Sequence, residues 1–287
     1  MTQDAIRAHY EGEWKHKSDA AEKLEQISYS NPVEDAVLYP IYRQMIADLK
    51  IRATGDVLDV GSGSGRWIRF FLENFKPQRL QGLDYTQASV DLLRRWFATG
   101  DAEGAETERS TKLAFDRADI TESNLDLGWR FDLINIANVL FHIPEQDKFQ
   151  RALENLARHL RPDGVIATTE YMPRVSMRTE WMLVRDRYFF EHAAKQAGLR
   201  IVAVKAFGVF ANDPMGLDGP DHGPRGQFQQ VRGMMQNLQQ SIRGAEGNAF
   251  LVQLYSQIEQ AVLSFCRERI ADVDMPSQKL VFLAPAK

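Results

Sequence analysis

The segment VLDVGSGSGRW, residues 57–67, has the spacing in this chain that most clearly suggests chemistry. An apolar run carrying Asp59 leads into glycines at positions 61, 63 and 65, and a helical pattern follows. Glycine permits tight turns and close backbone approach to a ligand, and the first N–H groups of a helix lack partners within it. The segment predicts a ligand-binding turn between a strand and a helix, although glycine turns also end strands for structural reasons.

Two acidic residues indicate which ligand the turn would take. Asp84 ends a second apolar run, RLQGLD. It follows the turn at the spacing of about 20 residues at which a carboxylate can accept hydrogen bonds from ribose hydroxyls. Asp59 precedes the turn, where its charge disfavours a pyrophosphate and favours an ammonium or sulfonium group. The two carboxylates predict an adenosine-type cofactor with a positive charge.

His142 and Glu170 lie where two later strand patterns end, after FDLINIA and within GVIATTEY. Ligands of open α/β sheets bind outside the carboxyl ends of the strands, so both side chains are candidates for catalysis. An imidazole titrates near neutral pH, which makes His142 the candidate general base, while Glu170 could orient His142 or a substrate hydroxyl. The alternative is that His142 caps the next helix or binds the backbone and that Glu170 is a solvated strand-end carboxylate.

The elements that would position these residues alternate along the chain. Strand patterns occupy 56–60, 79–84, 112–119, 131–137, 164–171 and 200–210, and helical patterns begin at 66 or cover 87–98, 145–160 and 179–197. This alternation predicts a parallel sheet with helices on both faces. Amphipathic helices are predicted before it, over 4–14 and 40–50, and two more before a last strand at 279–285. One runs through 228–242, and the apolar face of the other, over 250–265, would carry Phe250, Leu254, Ile258, Val262 and Phe265.

Five segments in order resemble the motifs of class I S-adenosylmethionine-dependent methyltransferases: VLDVGSGSG, LQGLDYT, RADI, FDLINIANVLFHI and LRPDGVIATTEY. The resemblance covers roughly residues 55–209 and the last strand. It implies an α/β, Rossmann-like methyltransferase fold, with a seven-stranded, mostly parallel sheet, helices on both faces and an antiparallel last strand. A helical cap from the N-terminus and an insertion before the last strand would complete it.

The resemblance also implies S-adenosyl-L-methionine as the cofactor and assigns its contacts. The residues along its methionine half would be Asp59, Gly61, Ser62, Gly63 and Gly65. Asp84 would bind the ribose diol, Tyr85 and Thr86 would flank the adenine, Asp119 would accept from its amino group, Ile120 would pack nearby, and Ala137 or Asn138 would close the pocket. The family often has an acidic residue at the position of Asn138. Tyr10, Trp14 and Tyr29 are candidates to cover the cofactor.

The implied reaction is methyl transfer to a hydroxyl of a small molecule, in preference to an amine. One alternative is a nicotinamide-dependent oxidoreductase, whose fingerprint is G-x-G-x-x-G. The loop here reads G-S-G-S-G-R, with its third glycine one residue early, which argues against that class. A non-catalytic nucleoside-binding module on the same fold is a second alternative.

Composition limits the partners. The formal net charge is −4, so the basic surplus needed to bind a phosphate backbone is missing and nucleic acid is not expected. The sequence has no apolar run of about 20 residues and no signal-peptide pattern, so we expect a cytoplasmic protein without membrane contact. A homodimer is compatible with this interpretation. We expect no metal, because Asp213, Asp218, Asp221 and His222 lack a regular ligand spacing.

The expected organisation has four parts. They are an N-terminal helical lid (1–50), a Rossmann-like cofactor-binding core (51–209), a helical insertion that forms a substrate cap (210–275) and the last strand of the core (276–287).

Overall fold

The computed structural model describes residues 2–20, 32–98, 111–178, 182–208, 234, 237, 241–242, 245–275 and 277–286. Its strands are β1 Asp56–Val60, β2 Arg79–Asp84, β3 Lys112–Arg117, β4 Phe131–Ala137, β5 Leu160–Glu170, β6 Met177–Arg178, β7 Leu183–Val184, β8 Leu199–Phe207 and β9 Gln278–Pro285. Its helices are α1 Gln3–Ala20, α2 Pro32–Asp48, α3 Arg66–Asn74, α4 Gln87–Leu93, α5 Gln146–Arg158, α6 Arg187–Gln196 and α7 Ala245–Arg267.

Seven of the strands form one sheet in the order β3-β2-β1-β4-β5-β9-β8. Strands β1 to β5 pair in parallel, and β9 runs antiparallel to both of its neighbours. Strand β4 is buried along its whole length, as expected for a parallel strand covered on both faces. The predicted seven-stranded Rossmann-like sheet, including its antiparallel last strand, is confirmed.

Two apolar clusters hold the helices to the sheet. One packs α2 and α3 against it through Leu38, Tyr42 and Phe71. The other packs α5 and α6 through Phe149 and Phe190. Because the clusters fix both layers, the carboxyl ends of the parallel strands form one rigid edge on which a site can be built.

Helix α1 lies over this edge and is anchored to α4. The Glu11 carboxylate accepts from the backbone N–H groups of Gln87 at 3.0 Å and Ala88 at 3.2 Å. The N-cap residue of α4, Thr86, makes no side-chain capping bond, so Glu11 satisfies two N–H groups that α4 leaves open. Trp14 packs against Leu92 on the same helix.

Two expected helix bounds were wrong. The pattern predicted that the second helix starts at residue 40. Helix α2 begins instead at Pro32 and continues through Pro40. Val37 and Leu38 are buried upstream of the proline, and their packing outweighs its cost. The helix predicted over 179–197 begins only at Arg187, where Asp186 caps it, and strands β6 and β7 form a hairpin before it.

The predicted helix over 250–265 exists, but its apolar face was wrong. Phe250 and Phe265 are exposed, whereas Leu251, Tyr255 and Leu263 are buried. Leu263 packs against α2 and the end of β8, and this contact sets the rotation of α7. Tyr29, the polar loop with Asp213, Asp218, Asp221 and His222, and most of the helix predicted through 228–242 lie outside the described residues. Among the helices of the described ranges, none is both long and apolar enough to cross a membrane.

Candidate active site

A cavity of about 410 Å³ opens at the carboxyl edge of the sheet. The ends of β1, β2 and β4 form one wall, and α1 forms the other. From the predicted set it is lined by Gly61, Ser62, Gly63, Asp84, Tyr85, Asp119, Ile120, Ala137, Asn138 and His142, and α1 contributes Gln3, Tyr10, Glu13 and Trp14. Asp59, Gly65, Thr86 and Glu170 are not among the lining residues in the described part of the chain.

The turn after β1 needs its glycines because other side chains fill the space around it. Gly61 and Gly63 have φ values of +68° and +51°. A Cβ on Gly61 would lie 2.3 Å from Val139 Cγ2, and one on Gly63 would lie 2.8 Å from Trp14 Cζ2. Gly65 serves packing instead, since its Cβ would meet Phe97 at 2.4 Å. The turn therefore presents bare backbone to the cavity.

Asp84 is fixed in the cavity wall by neighbouring donors. Its Oδ2 accepts from the Gly63 N–H at 3.0 Å, and its Oδ1 accepts from the Thr86 N–H at 2.9 Å and hydroxyl at 2.8 Å. Burial raises the pKa of this carboxyl above its usual value. Thr86, predicted to flank adenine, is instead fully buried and supports Asp84.

Asp59 belongs to a buried chain of polar groups behind the turn. Its Oδ1 accepts from Asn135 Nδ2 at 2.7 Å, and Asn135 Oδ1 accepts from the Tyr42 hydroxyl of α2 at 3.0 Å. Asp59 Oδ2 is buried and has no hydrogen-bond partner among the described residues. Burial raises the pKa of Asp59 to about 7.

The predicted adenine side carries an ion pair to α1. Asp119 Oδ1 accepts from the Thr121 N–H and hydroxyl, both at 2.8 Å. Its Oδ2 pairs with the guanidinium of Arg7, which also lies 5.6 Å from the centre of the Tyr85 ring. Arg7 therefore reaches the carboxylate and the aromatic ring predicted to contact adenine.

Asn138, at the end of β4, has a φ of +59°, a conformation that asparagine tolerates better than most residues. Its N–H donates to Thr169 Oγ1 at 2.8 Å. Its Oδ1 accepts from the Thr169 hydroxyl at 2.9 Å and from Gln278 Nε2 at 2.6 Å. The side chain is thus tied to β5 and β9, and the neutral amide suits this role.

His142 ends a short 3-10 turn, Leu140–His142, that follows β4. Its Nε2 lies 3.2 Å from the Tyr10 hydroxyl, and the two rings meet edge to face. Burial, with a smaller effect of Glu13, raises the pKa of Tyr10 to about 12, so the phenol keeps its proton at neutral pH. The candidate base and an aromatic residue of α1 therefore meet in the cavity wall.

Glu170 lies behind the cavity, only 4% exposed, and accepts a 3.3 Å hydrogen bond from the Thr168 hydroxyl. Burial raises its pKa to about 8, and the charge of Arg185 opposes that shift. Among the described residues Glu170 does not line the cavity, so this position does not support direct contact of Glu170 with a substrate.

Sequence reasoning missed several lining residues, among them Gln3, Trp67, Val139 and Phe141. Val139 and Phe141 follow the end of β4, so the rule that ligands bind at carboxyl strand ends could have identified them. Gln3 and Trp67 gave no comparable signal, because helix packing alone brings them to the cavity.

Comparison with known proteins shows that part of the chain is similar to methyltransferases. Residues 57–164 match the family model described as a methyltransferase domain. A probable methyltransferase, ltbC, of Aspergillus luteorubrus is 29% identical over 120 residues, which are 42% of this chain and 41% of that protein. The match thus spans about two fifths of that relative's length.

Solved structures share the fold. An S-adenosylmethionine-dependent methyltransferase of Leishmania major superposes with a TM-score of 0.55 at 17% identity over 70% of this chain and 76% of its own. The CcbJ methyltransferase of Streptomyces caelestis gives 0.53 at 13% identity over 97% and 98%. Residues 57–164 are therefore similar to a methyltransferase domain, and the chain shares the fold of S-adenosylmethionine-dependent methyltransferases, as the five motifs predicted. The cofactor of such methyltransferases is S-adenosylmethionine. The family match disfavours the nicotinamide alternative.

The residues present fit this cofactor. At Gly61 and Gly63 the turn lines the cavity with backbone alone, the buried Oδ2 of Asp59 lies behind it without a hydrogen-bond partner among the described residues, and Asp84 lies in the wall beside it. Buried carboxylate groups close to the site suit a ligand with ammonium and sulfonium charges.

Proposed function

We propose that the chain methylates a hydroxyl group of a small molecule with S-adenosylmethionine, and that His142 is the general base. The observation that carries the proposal is the position of His142, whose imidazole lies in the wall of the cavity that also holds the glycine turn. A hydroxyl oxygen must lose its proton as it gains the methyl group, so a base beside it accelerates the reaction. An amine can lose its proton to water, so with an amine acceptor the reaction would not need His142 as a base.

The cofactor, when bound, supplies a methyl group on a positively charged sulfur. Gly61 and Gly63 would hold its methionine part along their backbone, Asp84 would take the ribose hydroxyls, and Tyr85 and Ile120 would hold the adenine. Arg7 and Asp119 already satisfy each other, so adenine would share Asp119 with Arg7.

The acceptor proton would move to His142 Nε2. The hydroxyl of Tyr10, a neutral phenol, lies 3.2 Å from Nε2, and in the tautomer with the ring proton on Nδ1 this Nε2 carries the lone pair that accepts. The acceptor hydroxyl either takes the place of Tyr10 at Nε2 or passes its proton through the Tyr10 hydroxyl. Helix α1 shields this part of the cavity from water and raises the strength of the interactions inside it.

A small, partly apolar acceptor suits this cavity. Its volume is in the range of small-molecule sites, roughly 300–1,000 Å³. Phe141, Ile143 and Tyr171 line it beside His142. We therefore propose a small-molecule partner rather than a nucleic acid or a membrane, while a cytoplasmic location and a homodimer remain predictions.

The test is incubation of the protein with methyl-labelled S-adenosylmethionine and fractions of cell metabolites, followed by identification of the labelled product. An alkali-stable methyl ether supports the proposal, and a methylamine contradicts it. Binding of S-adenosylhomocysteine without transfer to any fraction would favour the non-catalytic nucleoside-binding module.

A further inference from the structure

Arg185 is a buried cation on the far side of the turn that presents His142. It follows β7, is 4% exposed and is not among the lining residues in the described part of the chain. Its Nη2 donates to the Ile143 carbonyl at 2.6 Å, and its Nη1 makes a longer contact, 3.5 Å, with the Leu140 carbonyl. The guanidinium thus binds the carbonyl groups on both sides of His142.

The surroundings hold this guanidinium in one place. Its central carbon lies 3.7 Å from the centre of the Phe149 ring and 5.5 Å from that of Phe189. Burial lowers the pKa of Arg185 to about 10, and the charge of Glu170 opposes the shift. A buried charge is retained only when hydrogen bonds and neighbouring charges compensate for lost hydration, and here carbonyl groups, ring faces and Glu170 supply that compensation.

The turn is held both by packing, because Leu140 and Ile143 are buried in the apolar cluster around α5 and α6, and by the donors of Arg185. Leu140–His142 is a single 3-10 turn, an element whose hydrogen bonds have poorer geometry than those of an α-helix. Arginine is suited to hold such a turn, because its planar group presents several donors in fixed directions. A shift of about 1 Å in a reacting group can cost 100-fold in rate, so the position of this turn matters to catalysis.

We propose that Arg185 is a positioning residue that fixes the 140–143 turn and thereby the imidazole of His142. The inference rests on the proposed function in so far as His142 is the base. The charge of Arg185 lowers the pKa of the buried Glu170, so this carboxyl group interacts with Arg185 and does not face the cavity.

The experiment compares Arg185→Gln and Arg185→Lys with Arg267→Gln as the matched control. Arg267 also donates to a backbone carbonyl, that of Ala206 at 2.9 Å, but lies on α7. We expect kcat for the acceptor found by labelling to fall at least 10-fold in Arg185→Gln, with the affinity for S-adenosylhomocysteine within twofold of wild type. Arg185→Lys keeps the charge but cannot span both carbonyl groups, so its kcat should also stay low, whereas Arg267→Gln should not change kcat.

A double-mutant cycle with His142→Ala separates positioning from general support of the fold. If Arg185 acts through His142, Arg185→Gln should lower kcat by less than twofold in the His142→Ala background. An equal loss in both backgrounds would overturn the inference, as would a wild-type kcat in Arg185→Gln. Rates are compared per molecule of folded protein that binds S-adenosylhomocysteine, so partial unfolding cannot imitate the effect.

A second readout needs no acceptor. The ring signals of His142 in ¹³C-labelled protein, assigned with His142→Ala, should move in Arg185→Gln and Arg185→Lys and stay in place in Arg267→Gln. Unmoved signals in both Arg185 variants would contradict the positioning role. If the signals move but His142→Ala retains full kcat, the proposed function has failed in its base while the contact between Arg185 and the turn stands.

Discussion

Arg7 of helix α1 is ion-paired with Asp119, which follows β3. One turn further along α1, Tyr10 reaches His142, which follows β4. A single helix is therefore attached on both sides of the cavity, to the residue predicted to bind adenine and to the candidate base.

Loss of the first attachment should weaken cofactor binding slightly. Arg7 is about one-third exposed, so solvent screens its ion pair, and we expect Arg7→Met to raise the Kd for S-adenosylhomocysteine by about two- to fivefold, or roughly 0.5–1 kcal/mol. Titration calorimetry at low and high salt measures this change, which should shrink as salt screens the pair. Lys15→Met, an exposed position of the same helix, is the control, and an equal loss there would refute the role of the pair.

Loss of the second attachment should affect turnover more than binding. Tyr10→Phe removes the donor to His142 Nε2 and keeps the ring, so we expect kcat to fall roughly 10-fold while the Kd for S-adenosylhomocysteine stays within twofold. Single-turnover rates and calorimetry measure the two quantities. Tyr188→Phe changes an exposed tyrosine on α6 and should leave both alone. A kcat unchanged by Tyr10→Phe would remove Tyr10 from the reaction.

His142→Ala should lower kcat roughly 100-fold or more with a hydroxyl acceptor, as expected for loss of a general base. A reaction that needs an unprotonated imidazole slows as the pH is lowered, so the wild-type profile should have an acid limb that the mutant profile lacks. Rates measured between pH 5 and 9, with exposed His192→Ala as the control, decide the matter. A rising limb that survives in an active mutant would exclude His142 as the base.

Gly61→Ala should destabilise the protein for two separable reasons. Its φ of +68° is costly for any residue with a Cβ, by about 1–2 kcal/mol, and the new Cβ would also clash with Val139. Gly128 has nearly the same φ, +69°, with no atom within 4 Å of the added Cβ, so Gly128→Ala measures the backbone cost alone.

We expect Gly61→Ala to lower the free energy of unfolding by more than Gly128→Ala does, and Val139→Ala to recover part of the difference. Urea unfolding of Gly61→Ala, Gly128→Ala, Val139→Ala and the double variant Gly61→Ala/Val139→Ala gives the numbers. Equal losses at the two glycines would show that the turn has room for a side chain.

Stability should fall as pH rises toward neutrality. Burial raises the folded-state pKa of Asp59 from 3.8 to about 7, so between these values the native state holds a proton that the unfolded chain has released. The free energy of unfolding therefore decreases with rising pH over this window, by at most about 1.4 kcal/mol per pH unit for the one group, and levels off above pH 7.

The check is urea unfolding of wild type and Asp59→Asn between pH 5 and 8. The substitution should flatten part of the slope, while Asp48→Asn, on the surface of α2, should keep it. Parallel slopes in wild type and Asp59→Asn would mean that Asp59 is already ionised at pH 5.

The cofactor side of the fold could be predicted from local sequence. The bounds of β1, β2 and β4 match the apolar runs, because buried parallel strands are continuously apolar. Gly61 and Gly63 stood out because only glycine fits the turn. The buried face of α7 was predicted wrongly because apolar residues lie on more than one face of this helix. Leu263 is buried because it packs against Val37 and Met275, a contact that the local sequence does not show.

The relations among distant residues could not be predicted in this way. Asp59 was expected beside the cofactor, but its carboxylate turns to Asn135, a contact set by the register of β1 against β4. Arg185 contacts the His142 turn from a distant segment of the chain, and its charge acts on Glu170 from a third segment. A local sequence pattern does not indicate such long-range contacts, because the pattern of each segment does not depend on the other segments.

The cap that Glu11 supplies to α4 has a consequence for the order of folding. The two groups are 76 and 77 residues apart in sequence, so this bond closes a long loop and carries the entropic cost of doing so. Helix α1 leaves the ribosome before α4, and its docking partners on α4 do not exist until β1 and β2 have been synthesised. The wall of the cavity that α1 forms should therefore assemble after the ends of β1 and β2 that face it.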